Sequence, residues 1–164
     1  MTDHLTTATG TTSTVTPAAA PFTSPTAAAS AVAAAAGASQ YVNPSSLKKQ
    51  SYYNHAVVRQ GTPVFLTGQV AWNEAGELVG KGDAPVQMAQ IWRNIQSVLA
   101  ELQATPANIV KLVTFSTSRE WLPAIHAERA KHFAEGQFPA STFVLVDGLV
   151  DPDMLVEIDV TVIV

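Results

Sequence analysis

"LVEIDVTVIV", Leu155–Val164, closes the chain, and seven of its ten residues are apolar. Side chains alternate across a strand, so Met154, Val156, Ile158, Val160 and Val162 share one purely apolar face. The other face carries Leu155, Glu157, Asp159, Thr161 and Ile163. A solvated face rarely begins in Leu and ends in Ile, and a core face does not accept two acids. A mixed face of this kind fits burial against another subunit, with polar groups lining a cavity at the seam.

Upstream of this strand the pattern alternates between sheet and helix. "HAVVRQGTPVFLTGQVAW" (55–72) reads as strand, glycine-containing turn, strand. After the glycine-rich loop "NEAGELVGKGD" (73–83), Asp83 as N-cap and Pro85 in the first turn predict a helix. Met88, Ile91, Trp92, Ile95, Val98, Leu99 and Leu102 give that helix one apolar stripe. "IVKLVTFSTS" (109–118) is a third strand. Trp121 to Glu135 is a second helix with Leu122, Ile125 and Phe133 inward, its Arg129 and His132 read as surface. "GQFPA" breaks the chain before a fourth strand, "STFVLVD" (141–147). The order ββαβαββ predicts a single α+β domain, a mixed sheet with two helices on one face. Two helices cover one face only, which again leaves the Glu157 face for an oligomer contact.

The first forty residues are of different character. Ala, Thr and Ser make up 27 of the 40, Asp3 is the only charged side chain, and no hydrophobic period runs through them. Such a segment buries too little apolar area to offset its ordering entropy, so residues 1–40 are expected to be a disordered tail and 41–164 the folded domain. The tail lacks the Lys or Arg of a secretory or transit signal and is too weakly apolar to span a bilayer. The charge is −4, from 9 Lys plus Arg against 13 Asp plus Glu, which argues against a nucleic-acid binder. Cysteine is absent, excluding thiolate chemistry and fitting a reducing, cytoplasmic setting. His4, His55, His126 and His132 show no ligand spacing, so no metal site is expected. No phosphate-cradling loop and no Ser-His-Asp arrangement is present either.

"YNHAVV", "VFLTGQVAW", "GELVG", "NIVKLVTFSTS", "FPASTFVLV" and "LVEIDVTVIV" occur in an order and spacing that resembles the Rid family, the reactive intermediate deaminases, also called YjgF-like proteins. The resemblance covers about Tyr41 to Val164. It implies a chorismate-mutase-like fold, a homotrimer with three clefts between subunits, and hydrolysis of reactive imines and enamines to carbonyl compounds and ammonia without a cofactor. It also implies site residues. Tyr53 matches the tyrosine that closes the cleft, and Thr67, Gly68 and Gln69 match a Ser-Gly-Gln turn whose hydroxyl and backbone contact substrate. His126 falls where the deaminases keep an Asn, and Glu157 matches the glutamate that positions a water. Each also has an ordinary reading: packing for Tyr53, a locally satisfied strand residue for Thr67, close backbone approach for Gly68, helix surface for His126, an interfacial hydrogen bond for Glu157. Trp72 fits either the cleft or the core.

One position departs from the resemblance. The archetypal deaminases place an arginine directly after the Pro-Ala before the fourth strand, where it grips the substrate's α-carboxylate. Here "FPASTF" offers Ser141. One neutral bond replaces two charged ones, and losing such a pair typically costs about 2–5 kcal/mol when the partner stays buried. The chain therefore resembles the arginine-lacking branch, and its substrate is expected not to depend on an α-carboxylate clamp. Arg119, at a strand-to-helix junction, is a candidate substitute charge, its ordinary reading being a solvated arginine. The alternatives are a non-catalytic small-molecule binding or regulatory trimer and, against the acidic charge, a ribonuclease.

Overall fold

Asp83 starts the longest element. Its carboxylate accepts a hydrogen bond from the Val86 N–H at 3.0 Å, and with Pro85 in the first turn it opens helix α1, Ala84–Glu101. In the computed structural model, which describes residues 37–164, the predicted stripe is the core: Met88, Ile91, Trp92, Ile95 and Leu99 are buried, Val98 and Leu102 half-buried. Each such side chain contributes about 1.5–3 kcal/mol on burial. The tail expected for residues 1–40 lies, up to residue 36, outside the described residues. Gln40 opens strand β1 (Gln40–Val42), which pairs antiparallel with β2 (Ala56–Val58) in a two-stranded sheet.

The main sheet contains β3 (Pro63–Phe65), β4 (Ile109–Ser116), β5 (Ala140–Leu145) and β6 (Val156–Ile163), in the order β3-β6-β4-β5. Only β4 and β5 run parallel, and helix α2 (Leu122–Ala130) makes the crossover that a parallel pair requires. The result is the α+β architecture expected, a mixed sheet with two helices. Val156, Ile158, Val160 and Val162 of β6 are at most 2% exposed and pack with the α1 stripe and with Ile125 of α2. Strands β2 and β3, read together in the sequence, go to different sheets. Gly61 between them lies against the chain end: a β-carbon there would overlap the Val164 carbonyl oxygen, which accepts from the Thr62 N–H at 2.7 Å.

Two buried amides tie the loops to this frame. The Gln87 side chain donates to the carbonyls of Gly80 (3.1 Å) and Asp153 (2.8 Å) and accepts from the Leu155 N–H (2.8 Å), fixing where β6 begins. Asn54 donates to the carbonyls of Gly136 and Phe138, holding the turn that precedes β5.

The structure changes three expectations. Helix α2 stops at Ala130 rather than Glu135; Phe133 still packs on the core, but from a turn. His132 is not on the surface: its ring stacks on Trp92 at 4.1 Å. Arg129 is 3% exposed, because it follows Leu122 and Ile125 at i+7 and i+4 and so shares their inward face. Among the described residues no helix is long and apolar enough to cross a membrane.

Candidate functional site

The predicted site residues fall into two groups on opposite faces of the main sheet. The first group is on the face away from the helices. Strand β3 leaves the sheet after Phe65 and rejoins β6 at Gln69, whose backbone exchanges hydrogen bonds with Ile158 at 2.9 and 3.0 Å. Asn94 of α1 holds the next turn by donating to the carbonyls of Val70 (3.0 Å) and Trp72 (2.9 Å). Between these fixed points Thr67 is exposed, and the Gln69 amide folds back to the Thr67 carbonyl at 3.0 Å. The Glu157 carboxylate covers Gly68. A β-carbon at residue 68 would overlap Glu157 Oε1, so a larger residue there would push the carboxylate aside.

Glu157 is partly buried and sits opposite Phe115 on β4, with Asp159 opposite Val113. Burial, and then the Asp159 charge, raise the Glu157 carboxyl above its ordinary value. No hydrogen-bond donor among the described residues reaches its carboxylate. A half-desolvated carboxylate of raised basicity, beside an exposed hydroxyl and a backbone with no side chain over it, can take a proton from water or from a small substrate.

The second group is on the helix face. Ser141 points toward α2, where its hydroxyl accepts a hydrogen bond from Arg129 Nη1 at 3.0 Å. Arg129 Nη2 donates to the Thr114 hydroxyl at 3.1 Å, and Nη1 reaches the Tyr52 carbonyl at 3.4 Å. Burial lowers the Arg129 pKa to about 10, which leaves it a cation at neutral pH. His126 stacks on the Tyr52 ring at 4.1 Å, and burial, then the Arg129 charge, lower its pKa. Tyr53 stands edge-on to His55 at 5.9 Å instead; it is Tyr52, its neighbour, that covers His126. Arg119 is exposed in the 3-10 turn before α2.

The structure thus brings Thr67, Gly68 and Gln69 together with Glu157, and His126 together with Ser141, but it keeps the two groups apart within one chain. Tyr52, Thr114 and Arg129 were missed from the sequence. The signal for Arg129 was its place on the Leu122–Ile125 stripe.

The chain is similar to several known proteins. A RutC family protein of Synechocystis is 33% identical over 108 residues, covering 65% of this chain and 82% of that protein. YyfB of Yersinia pestis, a Rid family protein described as of unknown function, superposes with a TM-score of 0.70 at 32% identity, covering 77% of this chain and 98% of that one. A YjgF/YER057c/UK114 family protein of Mycobacterium tuberculosis gives a TM-score of 0.54 at 26% identity, over 68% of this chain and 86% of that one. The family model described as endoribonuclease L-PSP spans residues 44–164, from the loop before β2 through both groups to the end of β6. The chain therefore belongs to the endoribonuclease L-PSP family, the group of the Rid and YjgF-like proteins.

Proposed function

We propose that this protein is a cytoplasmic hydrolase of reactive imines or enamines, releasing a carbonyl compound and ammonia without a cofactor. The observation that carries this reading is the Glu157 carboxylate lying over Gly68, raised in basicity by burial and by Asp159. An iminium carbon is already electrophilic, so the site has only to hold it, orient a water and move one proton. Glu157 takes the water's proton as the oxygen attacks and returns one to the departing nitrogen. Thr67 and the Gly68 backbone hold the substrate, with Gln69 fixing their turn.

The working form of this reading is a homotrimer. Phe65 is 75% exposed on the Glu157 face, and Ile163, Val113 and Phe115 are only partly covered there, an apolar area suited to a second copy. Contact between copies is also what would bring the helix-face group of one chain to the Glu157 group of another. The test is to generate imines in situ with an amino acid oxidase and follow ammonia release. Wild type should accelerate it, and Glu157→Gln should abolish the acceleration while remaining folded. Undiminished activity in Glu157→Gln would end the proposal.

A non-catalytic binding trimer is the second reading, favoured by the neutral Ser141 where the archetypal deaminases are expected to carry a cation. It predicts saturable ligand binding with no turnover in either protein.

A further inference from the structure

Trp72 is not part of the core. It is 45% exposed and lines a groove of about 570 Å3 beside α1, the helix whose inner side packs on β6. Gln69 and Glu74 line the same groove from the loop, and Gln90, Arg93 and Asn94 line it from α1. Amide side chains hold both walls in place. Asn94 and Gln90 donate to the Trp72 carbonyl at 2.9 and 3.2 Å. Gln90 in turn accepts from Arg93 Nε at 3.1 Å, which leaves the two terminal guanidinium nitrogens without a partner among the described residues. On the loop wall, the Asn73 side chain accepts from the Ala75 and Glu77 N–H groups at 3.0 and 2.9 Å, fixing the turn that carries Glu74. Among the described residues neither Glu74 nor Arg93 makes an ion pair.

The charges decide what such a groove accepts. A cation beside the indole would meet Arg93 and an anion would meet Glu74, so a like charge opposes either one. A neutral group that both donates and accepts satisfies the two together, and a hydroxyl is such a group. The indole itself is a flat apolar surface left in water, which gains by burial under another flat apolar surface. A sugar ring combines the two properties, with C–H groups on one face and hydroxyls at its rim. We propose that this groove is a carbohydrate site, taking one neutral pyranose ring with its C–H face on Trp72 and its hydroxyls shared between Glu74 and Arg93. The carboxylate accepts from one hydroxyl and the guanidinium donates to another, both of them charge-assisted bonds. Because Gln90 links Trp72 to Arg93, the stacking surface and the donor are set relative to each other before a ligand arrives, which lowers the cost of binding. The inference goes beyond the hydrolase reading and does not rest on it.

The probes are the methyl α-glycosides of glucose, galactose and mannose, with glycerol as the ringless control and phenylalanine as the zwitterionic one. In the full chain the Trp72 indole N–H resonance is identified as the one lost in Trp72→Tyr. It should shift saturably with at least one glycoside and show no saturable response to glycerol or phenylalanine. Trp72→Ala should bind that glycoside about tenfold more weakly, and Trp72→Tyr should lose much less, since a stacking face remains. Glu74→Ala and Arg93→Ala should each weaken binding as well, because each removes a charge-assisted hydrogen bond. Absence of saturation with every glycoside, an equal response to glycerol, saturation by phenylalanine alone, or unchanged affinity in Trp72→Ala would each overturn the proposal. So would a change of oligomer size in Trp72→Ala, which would make this surface a contact between copies.

Discussion

The two faces of β6 are built from alternate residues of one strand, and they have opposite properties. Val156, Ile158, Val160 and Val162 are closed over by α1 and α2, while Glu157, Asp159, Thr161 and Ile163 are all partly open. The closed face is where the chain gains its stability. The open face holds a carboxylate whose environment disfavours its charge, which a stability-driven design would avoid. The lesson is one of division: the fold is secured on one side, which leaves the other free to keep a carboxylate in an unfavourable setting.

Substitutions should break that comparison unequally. On the closed face Ile158→Ala, fully buried, should cost about 2–5 kcal/mol in urea unfolding. Ser141→Arg comes next. A new guanidinium would face Arg129 Nη1 where a hydroxyl now accepts from it at 3.0 Å, so chemical unfolding should show a loss on the order of 3 kcal/mol. On the open face Ile163→Arg should alter assembly more than folding. Light scattering should show a smaller species, since burying an unpaired charge at a contact is unfavourable. A monodisperse trimer from that variant would remove the interface argument.

Gly68→Ala is smaller again for stability, because the atom that must move is the end of a flexible side chain. Its effect should be on turnover, about a hundredfold lower, as the Glu157 carboxylate is pushed from its place. The smallest effect concerns His126. Its pKa is held down in the folded protein, so the stability it contributes is complete above its ordinary value of 6.5 and is lost as pH falls through the lower folded value. Melting temperature should therefore decline on acidification more in wild type than in His126→Asn.

The closed face was legible in the sequence because periodicity reports burial directly. The α1 stripe, the apolar run of β6 and the order of the later elements all came from it. β1 escaped because three residues carry no period, and it is held by pairing with β2. The end of α2 was placed too late because Phe133 continues the apolar spacing although the chain has already turned. In the candidate site the acid was legible, since two carboxylates on an apolar strand demand a reason. Arg129 was not: its residue type spoke for the surface while its position, on the stripe of Leu122 and Ile125, spoke for the interior, and position decided. Nor could the sequence reveal that Tyr52 rather than Tyr53 covers His126, since that depends on how Asn54 pins the loop.

The pH dependence of imine hydrolysis tests most directly whether the open-face carboxylate is the working group. Glu157 must be ionised to accept a proton, so kcat/KM should rise along an acidic limb whose apparent pKa lies above the ordinary carboxylate value of 4.5. In Glu157→Gln that limb should disappear, along with at least about a hundredfold of the rate. Thermal unfolding near neutral pH should meanwhile show the variant as stable as wild type or more so. A raised carboxyl pKa adds stability below its ordinary value and loses it as pH rises through the folded one, and the substitution removes that loss. A wild-type and a Glu157→Gln profile with the same limb and the same height would contradict the account.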